Sequence, residues 1–191
     1  KVMTMEKIVL PEIENLHKID VYRANGGYEA IKKALATTPD EIIDTVKKSG
    51  LRGRGGAAFS CGLKWSFMPK TTDKPKYLCV NGDESEPGSF KDRQIFEYNP
   101  HQCIEGILIA SYAIGANSAY VYIRGEYHKW IKLFQKALDD AYDAGLVGEK
   151  MKTTFGTKFH VNIYVHKGAG AYICGEESSL MNSIEGKRGY P

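Results

Sequence analysis

The stretch "GLRGRGGAAFSCGLKW", residues 50–65, decides which kind of α/β fold this chain can adopt. Inside it, "GRGGAA" (Gly53 to Ala58) matches the loose dinucleotide fingerprint G-x-G-x-x-A. That fingerprint functions only where a strand leads into the glycines, a helix leaves them and an acid follows about 20 residues on. Here the preceding segment reads as a helix. "TPDE" offers Thr38 as N-cap, Pro39 at the first helical position and Glu41 at the third, the reciprocal capping box. Ile42, Ile43 and Val46 make its apolar stripe, and Gly50 fits its stop. The context argues against an ordinary Rossmann site. Clustered glycines still let a backbone approach a flat or phosphorylated ligand, with several N–H groups turned on one anion. Arg54 and Lys64 add charged donors. Taken alone, the loop reads equally well as a tight surface turn with solvated arginines.

Working outward, "KYLCVN" (76–81), "AYVYIR" (119–124) and "HVNIYVH" (160–166) read as strands. Helices are predicted at Tyr28–Ala36, at Pro100–Ile114, and over 126–144, where Trp130, Leu133, Phe134, Ala137 and Leu138 share a face. A last helix opens in "EESSLMNSIEG". Residues 1–27 read as an irregular N-terminal arm and 28–191 as one domain. Strands alternating with helices predict an α/β class, a layered sheet with flanking helices.

Two more clusters follow strands, where ligand sites of α/β sheets lie. "NGDESEPGSFKDR" (81–93) reads as a polar loop with Asp83, Glu84 and Glu86 close together. The spacing misses that of a calcium loop, and a solvated turn is the simpler alternative. "KGAGAYICG" (167–175) is a second glycine-rich loop, followed by Glu176 and Glu177 in a first helical turn. Those acids complement the helix dipole, or accept hydrogen bonds from ribose hydroxyls.

The 26 basic and 23 acidic residues leave a net charge of +3, too little to argue for a nucleic-acid partner. The longest apolar run, "CIEGILIASYAIGA", is broken by Glu105 and Gly106, so no direct membrane insertion is expected. Cys61, Cys79, Cys103 and Cys174 form no C-x-x-C pair, which points to reduced thiols and no metal site. The chain opens at Lys1 without Met and stops at "GKRGYP", which leads us to expect a fragment truncated at its C-terminus.

Together, "SGLRGRGGAAFSCGLKWSFMPK", "VNGDESEPGSFKDR" and "GAGAYICGEESSLMNSIEG" closely resemble the FMN- and NADH-binding subunits of respiratory complex I. They are also similar to the diaphorase subunits of NAD-linked hydrogenases and formate dehydrogenases. The resemblance runs from about Tyr28 to Pro191. It implies an FMN-binding, Rossmann-like domain that is not an ordinary Rossmann fold. In it, Gly53, Arg54, Gly55, Gly56 and Ala57 wrap the flavin beside Lys64, and Asn81, Asp83 and Glu84 contact it. Tyr172, Gly175 and Glu176 lie on the flavin side, with Glu177 near both nucleotides. Phe59, Phe67, Lys64, Glu86 and Glu177 face NADH.

The implied activity is NADH oxidation by hydride transfer to FMN, then single-electron transfer through iron–sulfur clusters toward quinone. No side chain need act as nucleophile or general base, so no catalytic residue is assigned, and the five histidines have no part in this reading. The implied cofactors are FMN and NAD(H), with a 4Fe–4S cluster in a C-terminal part beyond Pro191. The implied partners are NADH and iron–sulfur subunits of a multi-subunit complex, cytoplasmic and peripheral on the inner face of the membrane. The alternatives are a soluble hydrogenase or formate dehydrogenase diaphorase and, from another class, a non-catalytic nucleotide-binding scaffold. One stretch departs from the family. Ala58-Phe59-Ser60-Cys61-Gly62 stands where Gly-Phe-Pro-Thr-Gly is usual. The methyl of Ala58 is expected to narrow the approach to the flavin ring or forbid a positive φ.

Overall fold

Three short strands form where the sequence places them and pair in parallel. In the computed structural model, which describes residues 7–191, they are β1 (Tyr77–Gly82), β2 (Ser118–Ile123) and β3 (Asn162–Lys167). Their order is β1-β2-β3, with Val80 opposite Val121 and Val121 opposite Val165. Each lies within two residues of its sequence-based position. Leu78, Val80, Ala119, Val121, Ile123, Ile163 and Val165 join the main core. Each large aliphatic side chain fully buried there contributes roughly 1.5–3 kcal/mol.

Among the described residues the helices are α1 (Ile19–Ala24), α2 (Glu29–Leu35), α3 (Pro39–Ser49), α4 (Cys61–Ser66), α5 (Lys91–Tyr98), α6 (Pro100–Ile114), α7 (His128–Asp143), α8 (Met151–Phe155) and α9 (Glu177–Ile184). A 3₁₀ turn, Tyr172–Gly175, precedes α9. Helices α5 and α6 connect β1 to β2, and α7 and α8 connect β2 to β3. Both α6 and α7 pack against the core face of the sheet. The opposite face is covered at its carboxyl half, where Cys174, Leu180 and Ile184 meet Tyr122. At its amino half Tyr77 and Tyr164 remain about half exposed, and Tyr120 stacks on Tyr164 at 5.4 Å.

Local signals end some helices and tertiary ones end others. The Thr38 capping box forms as predicted, with both reciprocal hydrogen bonds, and Gly50 closes α3 at φ +71°. Pro100 opens α6 and Gly115 closes it at φ +76°. By contrast α1 falls in the segment read as an irregular arm, and residues 1–6 of that arm lie outside the described residues. Leu16 and Tyr22 bury against Tyr28 and the rest of the core. α5 begins in the last three residues of the stretch read as a polar loop and runs on to Tyr98.

One buried cluster joins the arm to α6. The Glu105 carboxylate accepts hydrogen bonds from the Tyr22 hydroxyl (2.6 Å), the Tyr28 N–H (2.9 Å) and the Ile31 N–H (3.0 Å). It thereby caps α2, whose own N-cap residue, Tyr28 at φ +63°, makes no side-chain cap. His101 takes a structural place here. It stacks on Tyr22 and shares a 2.9 Å hydrogen bond with the Tyr28 hydroxyl.

Burial lowers the pKa of His101 from 6.5 to about 4, while the Asp140 charge acts in the opposite direction. Between those values the unfolded chain binds the proton that the folded chain refuses. Stability from this group is therefore complete above about pH 6.5 and lost as the pH falls toward 4, roughly 3 kcal/mol in all. We expect urea midpoints to fall over that window, and a His101→Gln variant to show a flatter acid limb. An unchanged slope would remove His101 from the acid response.

Candidate functional site

The first glycine loop closes on itself before it meets anything else. Arg52 and Ser60 form an antiparallel bridge, and the Gly53 N–H donates to the Phe59 carbonyl at 2.9 Å. The Arg52 guanidinium reaches the Ala58 carbonyl at 3.4 Å. Gly53, Arg54, Gly55, Gly56 and Ala57 stand exposed beyond that bridge. Nothing lies within 4 Å of where a Cβ would sit on Gly55 or Gly56. This rim leaves room for a flat or phosphorylated ligand to meet backbone.

Ala58 corrects one expectation. Its methyl does not forbid a positive φ, because the residue adopts φ +50°. An L-residue with a Cβ pays strain there that glycine avoids. Ala58→Gly should raise the unfolding free energy by about 1 kcal/mol after allowing for the entropy of glycine in the unfolded chain. A chemical-denaturation midpoint that stays put or falls would contradict this. Ser60, in place of the usual proline, caps α4 by accepting from the Leu63 N–H.

α4 is set by Gly62. A Cβ at Gly62 would lie 2.4 Å from the Lys47 backbone N. Only a glycine lets α4 lie this close on α3, and that contact places Lys64 within α4 and Phe67 at its end, while the Arg52–Ser60 bridge holds Phe59. The two phenylalanine rings are 6.2 Å apart and both are largely exposed.

The acidic loop leaves the end of β1. Gly82 is needed there, because a Cβ would meet the Phe96 ring at 2.8 Å and the Tyr122 carbonyl at 2.9 Å. Asn81 holds the turn by accepting from the Asp83 N–H. Burial raises the Asp83 pKa above its usual value, and the Ser85 hydrogen bond and Arg124 charge oppose that rise. Glu84 departs from expectation. Its carboxylate is buried and accepts from the Asp92 N–H (2.9 Å), the Arg93 N–H (3.3 Å) and the Tyr127 hydroxyl (3.0 Å). It caps α5, whose own N-cap residue makes no side-chain cap. A carboxylate so engaged is a structural anchor, and the Glu84 carbonyl is itself held by Arg124 at 2.9 Å.

In the third motif, Glu176 accepts from the N–H groups of Ser178 and Ser179 and caps α9. Its hydrogen bond from the Ser178 hydroxyl lowers its pKa below the usual value. Glu177, one residue on, is exposed and paired with Lys64 at 2.5 Å.

Three contacts bring the motifs together across long stretches of chain. Lys64 donates to Glu177, the Asn81 side-chain amide donates to the Gly175 carbonyl (2.7 Å), and the Tyr172 hydroxyl donates to Glu86 (2.5 Å). The last contact raises the Tyr172 pKa. The three motifs therefore meet in one rim at the carboxyl ends of parallel strands, with loop glycines, exposed aromatics and both signs of charge, while the Glu84 carboxylate turns away into the cap of α5. That suits a nucleotide better than a metal. Among the described residues no group of three or more His, Cys, Asp or Glu side chains could hold a metal ion. No described helix is long and apolar enough to cross a membrane. The sequence reading missed the turn Arg124–Tyr127, which touches both the acidic loop and the second glycine loop. Its only local signal was position, directly after a strand.

This fold and rim define a nucleotide-binding α/β domain. Residues 46–191 match the family model described as the Nuo51 FMN-binding domain, and the chain belongs to that family. It is 52% identical over 181 residues to the F 2 subunit of NADH-quinone oxidoreductase from Rhizobium meliloti (strain 1021), covering 94% of this chain and 42% of that protein. It is 58% identical over 169 residues to the corresponding F subunit from Rickettsia typhi (strain ATCC VR-144 / Wilmington), covering 88% and 39%. The chain thus spans about two-fifths of the length of these relatives. A solved NAD+-reducing [NiFe]-hydrogenase in the H2-reduced state is similar in structure, with a TM-score of 0.74 and 38% identity over 86% of this chain and 27% of that one.

Proposed function

We propose that this chain is the flavin-holding part of an NADH dehydrogenase. The observation that carries the reading is the set of three hydrogen bonds, Lys64–Glu177, Asn81–Gly175 and Tyr172–Glu86, that draws three separate motifs into one rim. When bound, FMN supplies the hydride acceptor. Gly53 to Ala57 present open backbone for it, and Arg54 and Lys64 offer cations to its anionic parts. Asn81, Asp83, Tyr172, Gly175 and Glu176 form the facing wall, and Glu84 anchors the loop that carries Asp83. Phe59 and Phe67 offer rings to a nicotinamide nucleotide, and Glu86 and Glu177 offer carboxylates to its ribose hydroxyls. The residues required do not include a nucleophile or general base.

On the same reading, residues 28–191 are the N-terminal part of an FMN- and NADH-binding domain. A 4Fe–4S cluster belongs to the remaining length seen in the relatives. The protein would work with iron–sulfur partner subunits, cytoplasmic and peripheral to the membrane, without nucleic acid. A hydrogenase diaphorase is the second reading, supported by the structural neighbour. The higher identity to the NADH-quinone oxidoreductase relatives favours complex I.

The test is made on the full-length protein. It should purify yellow, or turn yellow with added FMN, and bleach on anaerobic addition of NADH. A colourless protein that takes up no FMN would leave only a nucleotide-binding scaffold. In the same assay Glu86→Gln should raise the use of NADPH relative to NADH by roughly tenfold, because a carboxylate repels the extra phosphate. An unchanged ratio would sink that role for Glu86.

A further inference from the structure

The turn Arg124–Gly125–Glu126–Tyr127, at the carboxyl end of β2, lies between the acidic loop and the second glycine loop. On one side, Arg124 Nη1 donates to the Glu84 carbonyl at 2.9 Å, and the Tyr127 hydroxyl lies 3.3 Å from that same oxygen. The Arg124 guanidinium rests 5.6 Å from the centre of the Tyr127 ring, which limits where it can point. On the other side, the Gly168 N–H donates to the Ile123 carbonyl at 2.8 Å. A Cβ on Gly125 would lie 2.2 Å from the Gly168 carbonyl oxygen, so the turn and the second loop touch backbone to backbone. Glu126 Oε1 lies 3.3 Å from where a Cβ would sit on Gly170. Between the two sides, Arg124 Nε donates to Glu126 Oε2 at 3.2 Å.

One guanidinium therefore holds the acidic loop with one edge and the carboxylate beside the second glycine loop with the other. A planar fork with donors on different edges can do this, and a single ammonium on a flexible stem cannot. We propose that Arg124 is a positioning residue that locks the two nucleotide-facing loops to each other through the turn at 124–127. It touches no ligand itself. Its effect is to keep Asp83, Glu86 and the Gly168–Gly175 backbone in one register before a nucleotide arrives, so that less ordering is left for binding. This rests on the flavin reading for its consequence, though not for the coupling itself.

Two measurements on the full-length protein separate those layers. In the flavin-free protein, Arg124→Gln should speed amide hydrogen exchange about tenfold in both 83–90 and 168–176, and leave the amides of α6 as they were. Faster exchange in neither loop, or in one alone, overturns the coupling. In an FMN titration, Arg124→Gln should weaken binding about tenfold or more. Arg124→Lys keeps the charge and loses the fork, so it should remain folded and still bind FMN several-fold more weakly than the wild type. Wild-type affinity in the lysine variant would overturn the positioning role, and this variant decides the matter if the glutamine one does not fold. A wild-type protein that takes up no FMN would overturn the flavin reading, and the exchange comparison would then still judge the coupling.

Discussion

Glu105→Ala is expected to lower the unfolding free energy by roughly 4 kcal/mol, a large part of what holds a domain of this size together. The carboxylate is buried and accepts from three donors, the Tyr22 hydroxyl and the N–H groups of Tyr28 and Ile31. Alanine would strand all three in a buried site, and each buried donor left without a partner costs about 1–3 kcal/mol. It would also free the start of α2, which has no side-chain cap of its own. Glu105→Gln keeps one oxygen and should cost about half as much. Urea unfolding followed by circular dichroism checks this, and a loss below about 1 kcal/mol would refute the account. Because Tyr22 lies in α1, the alanine variant should also expose the arm to protease before the sheet.

Gly62→Ala is the second change with a large expected effect. The new methyl would lie 2.4 Å from Lys47 N and 2.8 Å from Lys47 Cα. Both are backbone atoms inside α3, so no flexible side chain can move aside. α4 would have to lift off α3, at a cost of about 3 kcal/mol. The displacement would carry Lys64 away from Glu177, so FMN uptake should weaken along with stability. Gly55→Ala is the control. Its Cβ meets nothing within 4 Å and its φ is not positive, so stability should change by less than about 0.5 kcal/mol. Equal losses in the two variants would show that loop glycine content, and not the α3–α4 contact, governs the effect.

Glu105 also marks where reading the sequence stops. It was visible only as a charge interrupting an apolar run, grounds for rejecting a membrane span. Its partners lie 74 to 83 residues away, and no local pattern connects them. Glu84 is the same case at the site. It looked like one of three acids free for a ligand, and in the fold it caps α5 and holds Tyr127. A helix whose N-terminal donors are met by a carboxylate eight or nine residues upstream needs no capping residue beside it, and α5 gave little local warning of itself. The four-residue turn at 124–127 was divided between the strand read at 119–124 and the helix read at 126–144, for a related reason. Its value lies in what it touches, and its composition is ordinary.

What the amino-acid sequence determined by itself was whatever short-range physics settles. The Thr38 capping box, the Pro100 start and Gly115 stop of α6, and the three short β-rich strands all rest on residues close together in the chain. The three motifs were legible too, each as a glycine or acidic cluster beside a helix or strand end. Only the tertiary structure decided which carboxylates face the rim and which are anchors, that Ala58 accepts φ +50°, and that α4 rests on bare backbone at Gly62. Those outcomes depend on hydrogen-bond donors and close contacts from outside the residue's own helix or strand, such as Lys47 at Gly62 and Tyr127 at Glu84. Their free energies belong to pairs of residues that only folding brings together.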